Sequence, residues 1–462
     1  MNNKFKQLLS DTTIFAIGNV LTKLILFFLM PLYTSAMTTE QFGVAELLSN
    51  SVDLALPVVS LCIYDAVFRF AIDRDSDHRL LFTNGIKILF ASYIIIFTGL
   101  AVANFFIKYE YIWYFALMVF TEGLRRLSAQ FIRGIGHTKR FTAGGVLNAL
   151  SLCIFNVIFL AVLNRGIEGY LISIILANIV SVVFIIFSSG IYKYISLRAE
   201  DNELLKKMLL FSLPQIPNLL SWWVINLSSR YIIVGFLGAG MAGLFTAASK
   251  LPSVMNVLTG IFQQAWQFSS SKEIGSKDSG SFFSDVFKAY SVFIIVSCSG
   301  IIFFIPLISR VILKGDFYEA WVYVPLLMVS AVLNGYSVYF GTFYIAVKKN
   351  RMIMISTMTG AAISLIICLA ATPLIGVYGA LLASIVSYLA IVIIRIIDTR
   401  KYVRIDIKAF INILSFVLLL LQAIVMTFNL PFAQAVSGGL FVLIAGCNIF
   451  YYQKDIKMIF LK

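Results

Sequence analysis

Histidine is nearly missing from this sequence, with two in 462 residues, and acidic side chains are few, 22 against 36 lysines and arginines. Both histidines, His78 and His137, fall in turns among basic residues, so no His-centred catalytic or metal constellation can form along the chain. The five cysteines, Cys62, Cys153, Cys298, Cys368 and Cys447, sit in apolar segments with no CxxC or Cys/His spacing. That pattern excludes a disulfide framework and a thiolate metal site, and neither a metal nor another cofactor is expected. No phosphate-binding glycine loop is present, so ATP hydrolysis by this chain is not expected. Charge is scarce as well: 13% of residues are charged and 60% hydrophobic, whereas soluble domains carry about a quarter charged residues. With a mean hydropathy of +0.93, the reading is an all-α polytopic membrane protein. The net charge of +14 does not indicate nucleic acid, because no basic surface motif accompanies it.

Fourteen apolar stretches are long enough, at about 20 residues, to cross a bilayer, running from 12–33 at one end to 409–429 and 432–452 at the other. Lys4 and Lys6 precede the first, which is too long for a signal peptide and lacks a small-residue cleavage site, so it is expected to be a retained span. Of the 36 basic residues, 28 fall at the termini or in connections on one side of the membrane, against Lys108, Arg165, Arg310 and Lys314 on the other. By the positive-inside rule both termini are expected in the cytoplasm. The connections are too short to fold alone, and no catalytic domain is expected. A membrane-bound glycan polymerase or ligase would need a large outer loop, which is absent.

The chain repeats itself. "FGVAELLSN" (42–50) faces "AGLFTAASK" (242–250), and "GIEGYLISIILANIV" (166–180) faces "GVYGALLASIVSYLA" (376–390), at offsets near 200 and 210. Spans 1–6 and 7–12 therefore read as two parallel copies of one bundle, residues 1–200 and 201–400, with 401–462 an added hairpin of two spans.

Four spans carry polar residues at helical spacing, the first two of each copy. Span 1 has Thr12, Asn19 and Lys23, and span 2 has Glu46, Ser49, Asp53, Ser60 and Tyr64. Span 7 has Gln215, Asn218, Trp222, Asn226 and Ser229 with Arg230 beside them, and span 8 has Thr246, Ser249, Lys250, Ser253, Asn256, Gln263, Gln264 and Gln267. A charge at the centre of a lone helix costs about 2.5–3.5 kcal/mol on insertion scales, so charges at this depth call for a water-filled cavity or a partner. A simple Lys23–Asp53 pair across packed helices is the plainer alternative. Lys87, Arg125 and Arg126 are explained by topology, and Glu122 reads as the counter-ion of Arg126 one turn on. Cations lining a cleft favour an anionic cargo, phosphate or pyrophosphate above all. The substrate-binding candidates are Lys23, Lys250, Arg230, Asn19, Asn226, Asn256 and Gln263, and the ion-coupling candidates are Asp53 and Glu46.

Four segments, "PLYTSAMTTEQFGVAELL" (31–48), "QFIRGIGHTKRF" (130–141), "LLFSLPQIPNLLSWWVINLSSRYIIVGFLG" (209–238) and "LIGVYGALLAS" (374–384), resemble the polysaccharide exporters of the multidrug/oligosaccharidyl-lipid/polysaccharide (MOP) superfamily, within it the O-antigen (Wzx-type) lipid-linked oligosaccharide flippases. The resemblance implies a MATE-like fold: two six-helix lobes around a V-shaped cleft lined by spans 1, 2, 7 and 8, plus the C-terminal hairpin. It also implies a cargo of undecaprenyl-pyrophosphate-linked oligosaccharide, an O-antigen or capsule repeat unit, moved across the bacterial cytoplasmic membrane by alternating access. Membrane lipid, a glycan polymerase and a chain-length regulator are the implied partners, and nucleic acid is not one. Relatives commonly carry an acidic residue before the arginine of span 7, where this sequence has Ser229; this frees Arg230 for cargo or marks a different site. A peptidoglycan-precursor flippase, a multidrug exporter of the same superfamily and a scaffold subunit of a glycan-synthesis complex are the competing readings.

Overall fold

The computed structural model describes residues 27–73, 76–196, 201–273, 279–347, 351–403 and 405–460, with the isolated positions 18, 22 and 25. Among them the secondary structure is helical throughout, with no strand. Seventeen α-helices follow one another: α1 Met30–Ala36, α2 Thr39–Val59, α3 Ile63–Ala71, α4 His78–Ile107, α5 Ile112–Gly134, α6 Thr138–Asn156, α7 Gly166–Ser189, α8 Asn202–Ser212 and α9 Gln215–Leu237. Then come α10 Ala239–Lys250, α11 Ser253–Glu273, α12 Ser279–Ile312, α13 Val324–Ala346, α14 Arg351–Ile375, α15 Val377–Thr399, α16 Ala409–Thr427 and α17 Ala433–Phe460.

Contacts group the chain into two units, Met1–Trp223 and Val224–Lys462, the second including α16 and α17. Ten of the described helices are long and apolar enough to span a membrane, or eleven if the segments Asn202–Ser221 and Trp223–Leu237, bent by 46°, are one span. The difference from fourteen lies where polarity is concentrated. It comprises the first span, mostly outside the described residues; α5, which carries Glu122, Arg125, Arg126 and Arg133; and the pair α10 and α11, rich in Ser, Thr and Gln.

In the first unit, the turn between α1 and α2 is fixed by a capping box. Gln41 N donates to Thr38 Oγ1 at 3.2 Å and Thr38 N donates to Gln41 Oε1 at 3.0 Å, satisfying two of the four orphan donors at a helix start. The second span, expected as one helix, is broken. Pro57 sits inside α2, and Leu61 and Cys62 adopt left-handed φ of 50° and 52°, unusual values for non-glycine residues. The Ser60 hydroxyl and the Cys62 N–H return to the carbonyls of Leu56 and Pro57 at 2.6 and 3.2 Å, closing the break internally, as an apolar surrounding requires. Helix α4 is 30 residues long and leaves Ile94, Ile95, Phe105, Phe106 and Ile107 exposed, a hydrocarbon-facing surface. Helix α7 packs against α5 and α6.

In the second unit, a stack of rings ties α11 to α12 and α13: Phe262 lies on Tyr290 at 4.0 Å and Trp266 on Tyr339 at 5.0 Å between centroids. Helices α16 and α17 are fastened by buried polar contacts. Gln422, fully buried, accepts from Ser299 Oγ at 2.6 Å and donates to the Ser437 carbonyl and hydroxyl at 3.1 and 3.0 Å. Asn448 donates to Ser415 Oγ at 2.8 Å, and Ser291 bonds both Tyr336 and Asn412. With no hydrophobic gain between helices in lipid, such polar glue and close packing hold them.

Candidate functional site

Two helices of the first unit bring four charges into a chain. Glu122, one turn before Arg126 on α5, binds Arg126 Nε at 2.7 Å and grips Arg125 in a two-pronged pair at 2.6 and 2.8 Å. Arg126 Nη2 then reaches across to Asp53 of α2 at 2.8 Å. Side-chain exposure falls from 50% at Asp53 through 35% at Arg126 to 13% at Glu122. Glu122 therefore counters Arg126, and Arg125 besides, and the partner described for Asp53 is Arg126; Lys23 and Asn19 lie outside the described residues. Glu46, two turns before Asp53, is buried and accepts from the Tyr170 hydroxyl of α7 at 3.0 Å. The neighbouring Tyr33 accepts from Asn156 at 3.2 Å and stacks edge-on against Tyr170.

The second unit gathers cations and amides. Arg230 of α9 donates through Nε to Thr246 Oγ1 of α10 at 3.2 Å and through Nη1 to the carbonyl of Asn226 at 3.0 Å. Thr246 is one turn before Lys250, the last residue of α10. The helix then breaks at Pro252, which cannot extend the ladder, and the Ser253 hydroxyl caps the Lys250 carbonyl at 2.5 Å. Beyond the break Asn256 is exposed and accepts from Asn334 of α13 at 3.2 Å, while Gln263 is half-buried two turns further on. Asn226 is exposed. Arg230 is thus bonded to the Asn226 carbonyl and to Thr246, Lys250 follows Thr246 by one turn on the same helix, and Asn256 comes after the break.

Three features escaped the sequence. Arg395, counted with a cytoplasmic connection, lies inside α15 with 5% of its surface exposed. It donates to Ser356 Oγ, the Ser337 carbonyl and Thr357 Oγ1 at 3.0, 2.6 and 3.1 Å, so it fastens α13, α14 and α15. Gly341 makes the room, since a Cβ there would lie 2.7 Å from the guanidinium. Helices α6 and α7 meet through Asn148 and Asn178 at 3.0 Å. Finally, a cavity of about 310 Å³ opens among α5, α6 and α7 and the described residues Gly18 and Thr22.

A family of polysaccharide biosynthesis proteins matches residues 8–267, more than half of the chain. The chain belongs to that family. Among solved structures, this family member is similar to an inward-facing multidrug resistance MATE family transporter of the MOP superfamily, at 15% identity over 84% of this chain and 98% of the other, with a TM-score of 0.67. It is also similar to the lipid II flippase MurJ in an inward closed conformation, at 13% identity over 96% of this chain and 100% of the other, with a TM-score of 0.69. A MOP superfamily transporter from Pyrococcus furiosus, described by the reverse polarity of its binding pocket, matches at 15% identity over 85% and 96% of the two chains with a TM-score of 0.59. No curated protein matches by sequence. At these identities the likeness establishes the fold: the family member is a multi-pass membrane protein of the MATE and MurJ type, and the solved proteins it resembles are transporters and a flippase.

Proposed function

We propose that the protein is a flippase that carries an undecaprenyl-pyrophosphate-linked oligosaccharide, an O-antigen or capsule repeat unit, across the bacterial cytoplasmic membrane by ion-coupled alternating access, with both termini in the cytoplasm. The observation that carries the reading is the bond from Arg230 of α9 to Thr246 of α10, one turn before Lys250. A cation on each of two helices joined by this bond is costly for a merely structural helix pair and suited to a pyrophosphate, which a forked guanidinium and a flexible ammonium bind together. Lys23 on the first span is the third headgroup candidate. Asn19, Asn226, Asn256 and Gln263 supply amides for sugar hydroxyls, and Asp53 and Glu46 are the candidates for coupling to an ion. Membership of a polysaccharide biosynthesis family supports a glycan cargo. A glycan polymerase and a chain-length regulator are the partners this cargo calls for.

The test is replacement of Lys23 and Lys250 by alanine together. Surface glycan should disappear while the protein still inserts in the membrane; unchanged glycan rejects the headgroup site. A peptidoglycan-precursor flippase is the second reading, favoured by the 96% of this chain that the lipid II flippase covers against 84% for the MATE transporter. That difference is about the length of α16 and α17. Depletion separates the two: loss of growth supports the precursor flippase, and loss of surface glycan alone supports the oligosaccharide flippase.

A further inference from the structure

The cavity in the first unit has a chemistry of its own. Its walls include Gly18 and Thr22, Arg125 of α5, a face of α6 formed by Phe141, Thr142, Gly145 and Asn148, and Ser181 of α7, and no carboxylate is among the described lining residues. Arg125 is oriented: its Nε and Nη2 are both spent on Glu122, which leaves Nη1 with no partner among the described residues. Asn148 donates to Asn178 Oδ1, while Asn178, 3% exposed, has its own Nδ2 without a partner, and Thr142 Oγ1 is buried in the same condition. Buried polar groups are normally satisfied, so an unmet hydroxyl on the lining Thr142, with an unmet amide on Asn178 behind the lining Asn148, marks a place where something completes them.

Donors in excess, a guanidinium edge held in one direction and no carboxylate among the described lining residues select an oxyanion. The Thr142 hydroxyl, the Asn148 amide and the Ser181 hydroxyl, which donates to the Gly144 carbonyl at 3.0 Å and faces the void as an acceptor, match a sugar's hydroxyls better than a bare ion. At about 310 Å³ the space lies at the small end of ligand pockets, enough for one sugar and too small for a repeat unit.

We propose that this cavity receives a single sugar residue bearing a carboxylate, its oxyanion on the open edge of Arg125 and its hydroxyls on Thr142, Asn148 and Ser181, so that the cargo is an acidic glycan. The inference rests on the glycan-cargo reading above and adds the class of sugar.

Gly145 supplies the test. A Cβ there meets nothing within 4 Å, so a leucine side chain would extend into the void, and leucine is also the better helix former. Purified full-length protein is titrated with methyl glucuronide and with methyl glucoside. The glucuronide should bind at least tenfold more tightly, and Gly145→Leu should abolish that binding with the melting temperature unchanged or raised. Equal binding of the two glycosides, or glucuronide binding that survives Gly145→Leu, overturns the proposal. Farnesyl pyrophosphate serves as the independent probe of the headgroup site. If it binds and the glucuronide does not, the cavity proposal fails alone; if neither binds, the cargo reading falls with it.

Discussion

Arg126 in the first unit and Arg395 in the second are the same side chain under opposite conditions. Arg126 is one-third exposed and lies between two carboxylates, Glu122 and Asp53. Arg395 is buried and bonded to a carbonyl and two hydroxyls, with no carboxylate among them. The first unit therefore balances its embedded charges in place, and the second retains a cation whose charge is solvated by dipoles alone. A balanced cluster is costly to unbalance, because removing one partner leaves the other buried without compensation. A dipole-solvated cation depends on geometry, since its forked donors must meet several acceptors at once.

The comparison can be broken most severely at Glu122. Glu122→Gln leaves two guanidiniums with Asp53 alone, and thermal unfolding in detergent should show a loss of about 3 kcal/mol; a loss below 1 kcal/mol would mean the cluster is not balanced as described. Next is Arg395→Lys, which keeps the charge and removes the fork. It should cost about 2 kcal/mol through buried acceptors left unmet, and a neutral outcome would show that charge alone matters there.

Asp53→Asn sharpens the contrast from the other side. The pair is half-exposed, so the stability change should stay under about 1 kcal/mol, and a much larger loss would place Asp53 in a drier setting than Arg126 indicates. The smallest effect concerns His137, whose Nδ1 lies 3.4 Å from Arg140 in the turn before α6. Burial, and then the charge of Arg140, push its proton affinity below the ordinary value of 6.5. As pH falls, the unfolded chain takes up the proton first. This contribution is intact above 6.5 and is lost as pH drops through the lowered value. His137→Gln should flatten a shallow decline in melting temperature between pH 7.5 and 5.5, and an unchanged slope would remove His137 from that decline.

Much of the fold was legible because bilayer and backbone impose it: apolar length, basic connections and helical spacing follow from composition in order. At one point helix bounds follow the sequence offset, since α2 starts at Thr39 and α10 at Ala239, 200 residues apart like "FGVAELLSN" and "AGLFTAASK". The i+4 pair of Glu122 and Arg126 was likewise local enough to read. The break at Leu61–Cys62 was not, because Pro57 permits it but neighbouring helices decide where the chain turns. Arg395 was misplaced for a related reason. Its sequence neighbours resemble a basic connection, whereas its partners come from α13 and α14, 38–58 residues away.

The sequence by itself determined that this chain is helical and spans a membrane many times, because those properties depend on the order of apolar, polar and basic residues along a helix. Only the tertiary structure decided which charges are neutralised, where donors are left around a void, and how α16 and α17 are held. Those outcomes turn on groups far apart in the chain meeting within 3 Å, a distance that no local pattern encodes.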